Sequence, residues 1–191
     1  MPYRKIEIRA GHYYHLYNRG ANRQNIFFDR GNWAFFIERL RAYFLPGYVD
    51  ILVYCLMPNH YHLLVYIKTD DFSKLVMQPF TLSYVKAINK QQQRSGPLFE
   101  GPFQAIHIDK DKYLRHLSRY IHMNPVVANL AQAPEEWQFS SYRDYVELRQ
   151  GTLPNKKMIL SQFPSIQAYQ QFVRTYNSSD DKLIQKIIFR E

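Results

Sequence analysis

The chain has 191 residues, 46% hydrophobic and 21% charged, a size and balance suited to one globular domain with an appendage and unlike those of a disordered chain. Lys and Arg outnumber Asp and Glu by 25 to 16, a net charge of +9 that points to an anionic partner, and 16 Tyr, 13 Phe and 2 Trp offer rings that could stack on unpaired bases. No apolar run is long enough to span a membrane, and the N-terminal stretch lacks the apolar centre of a signal peptide. The one cysteine, Cys55, excludes an intrachain disulfide or a cysteine zinc cluster and fits a reducing cytoplasm.

Residues 13–18 (YYHLYN) are aromatic-rich and closed by Arg19-Gly20, which predicts a strand and a turn. Beyond Asp29, Trp33, Phe36, Ile37, Leu40 and Phe44 recur at helical steps, so a helix is expected with Asp29 as its N-cap and Pro46-Gly47 as its stop. Residues 49–57 (VDILVYCLM) and 60–67 (HYHLLVYI) are β-rich and separated only by Pro58-Asn59, which predicts a hairpin. Residues 72–93 form the next helix, with Leu75, Val76, Phe80, Leu82, Val85 and Ile88 as its apolar positions and Pro79 near a break or second start. A short strand at 103–108 and a helix over 112–123, capped by Asp109 or Asp111, complete the order β, α, β, β, α, β, α.

That order predicts an α+β fold: a ferredoxin-like antiparallel sheet with helices on one face, the other face being left for a ligand or a further helix. Residues 1–130 form the expected core. Residues 131–191, with helices at 166–176 and 180–189, read as a helical extension packed on it.

His60 and His62 are two apart on a strand, so they share a face about 6.5–7 Å apart along the backbone, close enough for two imidazoles to lean onto one cation. Two surface histidines beside a turn would look the same. In the 112–123 helix, Leu114, Leu117 and Ile121 mark the buried stripe. Tyr113, His116, Tyr120 and Asn124 form a second row roughly 90° around from it, flanking the buried face. Tyr120 offers a phenol as nucleophile and Asn124 an amide oxygen suited to a hard cation; equally, they could be a packing tyrosine and a C-capping asparagine before Pro125.

Three segments taken together resemble one family: Tyr13-x-x-x-Tyr17-Asn18-Arg19-Gly20, then Met57-Pro58-Asn59-His60-Tyr61-His62-Leu63-Leu64-Val65, then Tyr113-Leu114 followed by Tyr120-Ile121-His122-Met123-Asn124-Pro125-Val126. They are similar to the HUH single-tyrosine transposases, and within these to the REP-associated tyrosine transposases, relatives of the insertion-sequence transposases that act on single-stranded DNA. Trp137-Gln138-Phe139-Ser140-Ser141-Tyr142 and Ala168-Tyr169-x-x-Phe172 extend the resemblance to about residue 173, whereas Pro102 stands where relatives commonly carry a basic residue.

The resemblance implies that His60 and His62 hold Mg²⁺ or Mn²⁺ with Asn124 as third ligand, and that Tyr120 attacks the scissile phosphate to leave a 5′-phosphotyrosine and a free 3′-hydroxyl. The implied partner is single-stranded DNA carrying a hairpin or repeat. The implied protein is a monomer or homodimer, cytoplasmic and nucleoid-associated, with its catalytic domain in residues 1–130. Arg19, Arg23, Lys86 and Lys90 are the candidate DNA contacts, and the basic N-terminal set also includes Arg4, Lys5 and Arg9. His116 and His122 read as structural or DNA-facing, and His12 and His15 carry no assignment. Two other classes fit the same composition: a non-catalytic single-stranded nucleic-acid-binding module, and a hydrolase using a metal-activated water.

Overall fold

A computed structural model describes residues 7–109, 111–177 and 184. Arg4, Lys5, the capping at the start of the 112–123 helix and most of the expected 180–189 helix therefore lie outside the described residues. The core elements are β1 (Tyr13–Arg19), α1 (Arg30–Tyr43), β2 (Val49–Met57), β3 (His60–Ile67), α2 (Gln78–Gln91), β4 (Gln104–Ile108) and α3 (Asp111–Val127). Three short helices follow: α4 (Tyr142–Tyr145), α5 (Lys157–Leu160) and α6 (Ile166–Arg174). The four strands pair antiparallel in the order β2-β3-β1-β4, the ferredoxin-like arrangement that the element order predicts.

Local chemistry sets the boundaries. Asp29 caps α1 by accepting from the Asn32 N–H at 3.0 Å. A π-helical turn at Ser73–Met77 runs directly into α2, with Gln78 donating to the Ser73 carbonyl, and Pro79 stands in the first turn of α2. The apolar row of this segment differs from the expected one. Leu75 and Leu82 are 42% and 51% exposed, while Val76, Phe80, Tyr84 and Ile88 are buried at strict steps of four. Tyr84 joins the core because its hydroxyl finds an acceptor there, the Ile26 carbonyl at 2.7 Å. α3 also departs from expectation by continuing through Pro125 to Val127. The ring's fixed φ of about −65° is itself helical, and beyond it Ala128 donates to the Asn124 carbonyl at 2.9 Å.

Strand alternation divides the interior into two layers. Tyr14 and Leu16 of β1 and Tyr61, Leu63, Val65 and Ile67 of β3 lie under α1 and α2 with Phe36, Leu40, Phe80 and Ile88. Leu64 faces the other way, against Leu114, Leu117 and Ile121 of α3 and the rings of Tyr142, Tyr145 and Tyr169. A β-bulge between Ile51 and Val53 changes the parity of β2, so that Ile51, Tyr54 and Leu56 face one layer while Val53, Cys55 and Met57 face the other. Tyr145 donates to the carbonyl of the bulged Leu52 at 3.0 Å.

Residues beyond 131 line the outer edge of β2. Leu56 donates to the Phe139 carbonyl, Ser141 donates to the Tyr54 carbonyl, and the indoles of Trp33 and Trp137 both donate to the Leu56 carbonyl. An edge strand that would otherwise present open backbone groups is thereby closed. Asp144, fully buried, holds Arg149 through both carboxylate oxygens, and Arg149 reaches on to the Tyr54 hydroxyl at 2.8 Å, tying this segment to β2.

Candidate active site

α3 lies across the open sheet face, held by Leu114, Leu117 and Ile121, each almost wholly buried. Each such side chain contributes about 1.5–3 kcal/mol through burial, enough together to fix which side of the helix faces the sheet. The row a quarter-turn away then meets the end of β3. Tyr120 and Asn124 are half-buried there, with the Tyr120 ring edge-on to His62 at 5.8 Å between centroids. His60 and His62 lie on this face, their ring centroids 4.9 Å apart, and the Asn124 amide is close enough to the His60 ring to influence its protonation. Asn124 also donates through Nδ2 to the Tyr120 carbonyl at 2.9 Å. Its side chain thus spans from the backbone of one candidate residue to the ring of another.

The hairpin tip is anchored from the side. Gly20 donates to the Asn59 carbonyl, and Ile26 and Phe27 both donate to the Pro58 carbonyl. A Cβ on Gly20 would run into the Gln24 carbonyl oxygen, so this crossing needs glycine for space and not for backbone angle. Asn59 donates through Nδ2 to the Arg23 carbonyl at 3.2 Å, which turns its Oδ1 toward His60 Nδ1 at 2.6 Å. Neutral His60 therefore gives its one ring proton to Asn59 and keeps a lone pair on Nε2.

Burial sets the protonation of the site. It pushes His60 down to about 4, helped by the Arg19 charge and opposed by the Asn124 amide, which accepts from the protonated ring. Burial holds His62 well below the ordinary range, and repulsion from His15 and His60 adds to the effect. Both rings are neutral near pH 7, the form in which imidazole binds metals. Among the described residues, no set of three or more His, Cys, Asp or Glu side chains could hold a metal ion. A cation here would accordingly draw on the Asn124 amide oxygen and on oxygens of a substrate to complete its shell.

The other candidates fall in different places. Arg19 lies across the sheet from His60, and its guanidinium pairs with both carboxylate oxygens of Glu100 at 3.0 and 3.1 Å. Arg23 is exposed beside the hairpin tip, to which its carbonyl is bonded. Lys86 and Lys90 are exposed on α2, the helix that covers the opposite sheet face, and the structure does not bring them to Tyr120. His116 contacts Arg119 at 3.2 Å and stands beside the Phe172 ring, while His122 is fully buried between α3 and the C-terminal segment.

Sequence reasoning left His15 unassigned and did not single out Asn59 or the side-chain role of Tyr17. The alternation of YYHLYN puts His15 and Tyr17 on one face, but only strand pairing shows that this face adjoins His62: Tyr17 is its direct partner and His15 its diagonal one. His15 Nε2 lies 2.9 Å from His62 Nδ1, and the Tyr17 ring stacks on His15 at 5.2 Å.

A family model described as "Transposase IS200 like" matches residues 9–124, more than half of the chain and the whole of this site. Among solved structures the chain is similar to a REP-associated tyrosine transposase bound to a REP hairpin, at 19% identity and a TM-score of 0.57, covering 77% of this chain and 86% of that one. A candidate transposase from Deinococcus radiodurans aligns at 18% identity over 63% of this chain and 95% of its own, with a TM-score of 0.42. No curated protein matches. No helix among the described residues is long and apolar enough to cross a membrane. The chain carries the antiparallel fold, the His-x-His hairpin and the tyrosine helix within the matched span, and it belongs to the IS200-like family of HUH single-tyrosine transposases.

Proposed function

We propose that this transposase cuts and rejoins single-stranded DNA through a covalent bond to Tyr120, at a hairpin or short repeat. The observation that carries the reading is the convergence, within one chain, of the Tyr120 ring, the His60 and His62 rings and the Asn124 amide. The Tyr120 Oη attacks phosphorus in line and its proton leaves to solvent. The 3′ oxygen departs and takes up a proton, leaving a 5′-phosphotyrosine and a 3′-hydroxyl. Because the phosphotyrosine conserves the ester, attack by another 3′-hydroxyl reverses the step and joins strands without a nucleotide cofactor.

His60, His62 and Asn124 would hold Mg²⁺ or Mn²⁺. Two neutral imidazoles and an amide oxygen suit manganese by softness, and magnesium is the choice the family resemblance adds. When bound, such an ion supplies charge against the phosphoryl oxygens. The residues' own part is to present lone pairs, to keep the two rings neutral and to hold Tyr120 beside them. Residues 1–130 would form the catalytic domain, with the segment from 131 as an extension that braces β2 and α3. Because all four groups come from one chain, the reading needs no second subunit to complete the site. A cytoplasmic, nucleoid-associated protein fits a DNA substrate and the net charge of +9.

The test is incubation of the protein with a single-stranded hairpin oligonucleotide and Mn²⁺, followed by denaturing electrophoresis and mapping of the linked residue. A denaturant-stable adduct at Tyr120 is expected, and Tyr120→Phe should form none while binding the oligonucleotide within about twofold of wild type, since phenylalanine keeps the ring and its stacking. An adduct that persists in Tyr120→Phe moves the nucleophile elsewhere. Binding with no adduct in the wild type returns the protein to the non-catalytic binding class.

A further inference from the structure

His15 sits at the middle of β1, 1% exposed, on the face that carries Tyr17. One nitrogen, Nε2, is 2.9 Å from His62 Nδ1, with the rings stacked at 5.1 Å. The other, Nδ1, is buried and meets no hydrogen-bond partner. A phenylalanine or leucine would remove the orphaned Nδ1 but leave His62 Nδ1 unpaired, exchanging one buried unmatched nitrogen for another, so stability alone gives no reason for an imidazole here.

The reason lies in proton placement. A neutral imidazole has two nitrogens and one proton, and a ring that offers a lone pair at Nε2 must carry its proton at Nδ1. At His60 that proton goes to Asn59 Oδ1, 2.6 Å away. At His62 the corresponding nitrogen meets His15 Nε2. The two rings are therefore met at the same nitrogen, Nδ1, by two different partners.

We propose that His15 is a positioning residue: it accepts the Nδ1–H of His62 and so holds that ring with its Nε2 lone pair turned to the cation, an inference that rests on the metal reading given above. The His15 proton then resides on Nδ1, the nitrogen without a partner, and the cost of that orphan is borne for the site. Outer partners of metal-bound histidines commonly set tautomer and orientation in this way, and losing one lowers metal affinity about 10–100-fold.

The test combines imidazole nitrogen NMR with Mn²⁺ binding measured by the EPR signal of the free ion. In Mg²⁺-loaded protein, long-range ¹H–¹⁵N correlations should show His62 protonated at Nδ1 and bare at Nε2; the opposite tautomer overturns the proposal without need of any variant. His15→Phe should weaken Mn²⁺ binding about 10–100-fold with a melting temperature close to that of wild type, since one buried unpaired nitrogen replaces another. His15→Gln, whose amide oxygen reaches the place of Nε2, should restore affinity to within about threefold. A His15→Phe protein that melts lower and binds Mn²⁺ as wild type does makes the residue merely structural and overturns the proposal. If His15→Phe does not fold, the tautomer and the His15→Gln affinity decide. His62→Ala separates the two levels: Mn²⁺ binding lost in His62→Ala but unchanged in His15→Phe overturns the role of His15 alone, whereas wild-type protein that binds no Mn²⁺ overturns the metal reading as well.

Discussion

His15 and His122 are both buried on the α3 side of the sheet, and both are held by burial at a pKa of about 3. They differ in what their nitrogens meet. His122 Nε2 lies 2.8 Å from Ser141 Oγ and its Nδ1 2.7 Å from the Tyr169 hydroxyl. Both nitrogens of that ring are matched, and the two partners join α3 to α6 and to the segment beside β2. His15 has a single partner, His62, and an orphaned Nδ1. A buried histidine with a complete set of bonds is explained by stability, because removing it takes two buried hydrogen bonds from the fold. One with an incomplete set, bonded to another histidine beside a half-exposed tyrosine, is explained by what it does to its neighbour.

The largest effects test whether the His62 side of this contrast is the working one. His60→Ala or His62→Ala should lower DNA cleavage by about 10³-fold or more, since the charge stabilisation that depends on these rings amounts to several kcal/mol, with the circular dichroism spectrum unchanged. Single-turnover cleavage of a labelled hairpin checks this, and wild-type rates in both variants would remove the paired imidazoles from the chemistry. Next in size, His122→Phe should destabilise the fold by about 1–3 kcal/mol, seen as a melting temperature lower by about 2–4 °C per kcal/mol, while the surviving folded protein keeps its adduct with DNA. Loss of the adduct at full stability would make His122 part of the site.

A pH series sharpens the same contrast. The unfolded chain protonates histidine near pH 6.5, whereas the folded His122 resists until about 3. The lowered folded pKa means the stability tied to the neutral ring is complete above about pH 6.5 and is lost progressively as pH falls toward 3, by at most about 1.4 kcal/mol per pH unit for each such ring. In the presence of a chelator, the fall in unfolding free energy between pH 7 and pH 5 should therefore be about 1–2 kcal/mol smaller in His122→Phe than in wild type, by urea titration. Identical slopes would mean that His122 protonates as easily in the fold as in water. The smallest effect compares the two sheet faces: Arg19→Ala should weaken hairpin binding roughly threefold to tenfold and lower the salt slope by about one. Lys86→Ala, on the far face, should change binding by less than about twofold. A larger loss from Lys86 would place DNA on both sides of the sheet.

Much of this was legible before any coordinates. Asp29 as a cap, the hairpin about Pro58-Asn59 and the helix start at Pro79 are decided by a few adjacent side chains, and local chemistry suffices to read them. The row carrying Tyr120 and Asn124 follows from helical geometry alone. The exceptions have physical causes. Leu75 and Leu82 are as apolar as the residues that are buried, but the row that faces the sheet runs through Tyr84, whose hydroxyl finds an acceptor in a loop 58 residues away. α3 continues through Pro125 because the chain beyond closes the next turn, which a rule about proline by itself does not contain.

By itself the sequence determined the order of strands and helices, the face on which His60 and His62 stand and the helix row of Tyr120, because periods of two and of 3.6 residues and the turn residues between them are properties of neighbouring positions. The tertiary structure alone decided that β1 lies between β3 and β4, that the bulge at Leu52 reverses the facing of β2, and that His15 meets His62 while Asn59 meets His60. Those facts depend on which strands pair, in what register, and on how a ring nitrogen finds its partner across a gap of about 3 Å, and none of these is carried by any short run of residues.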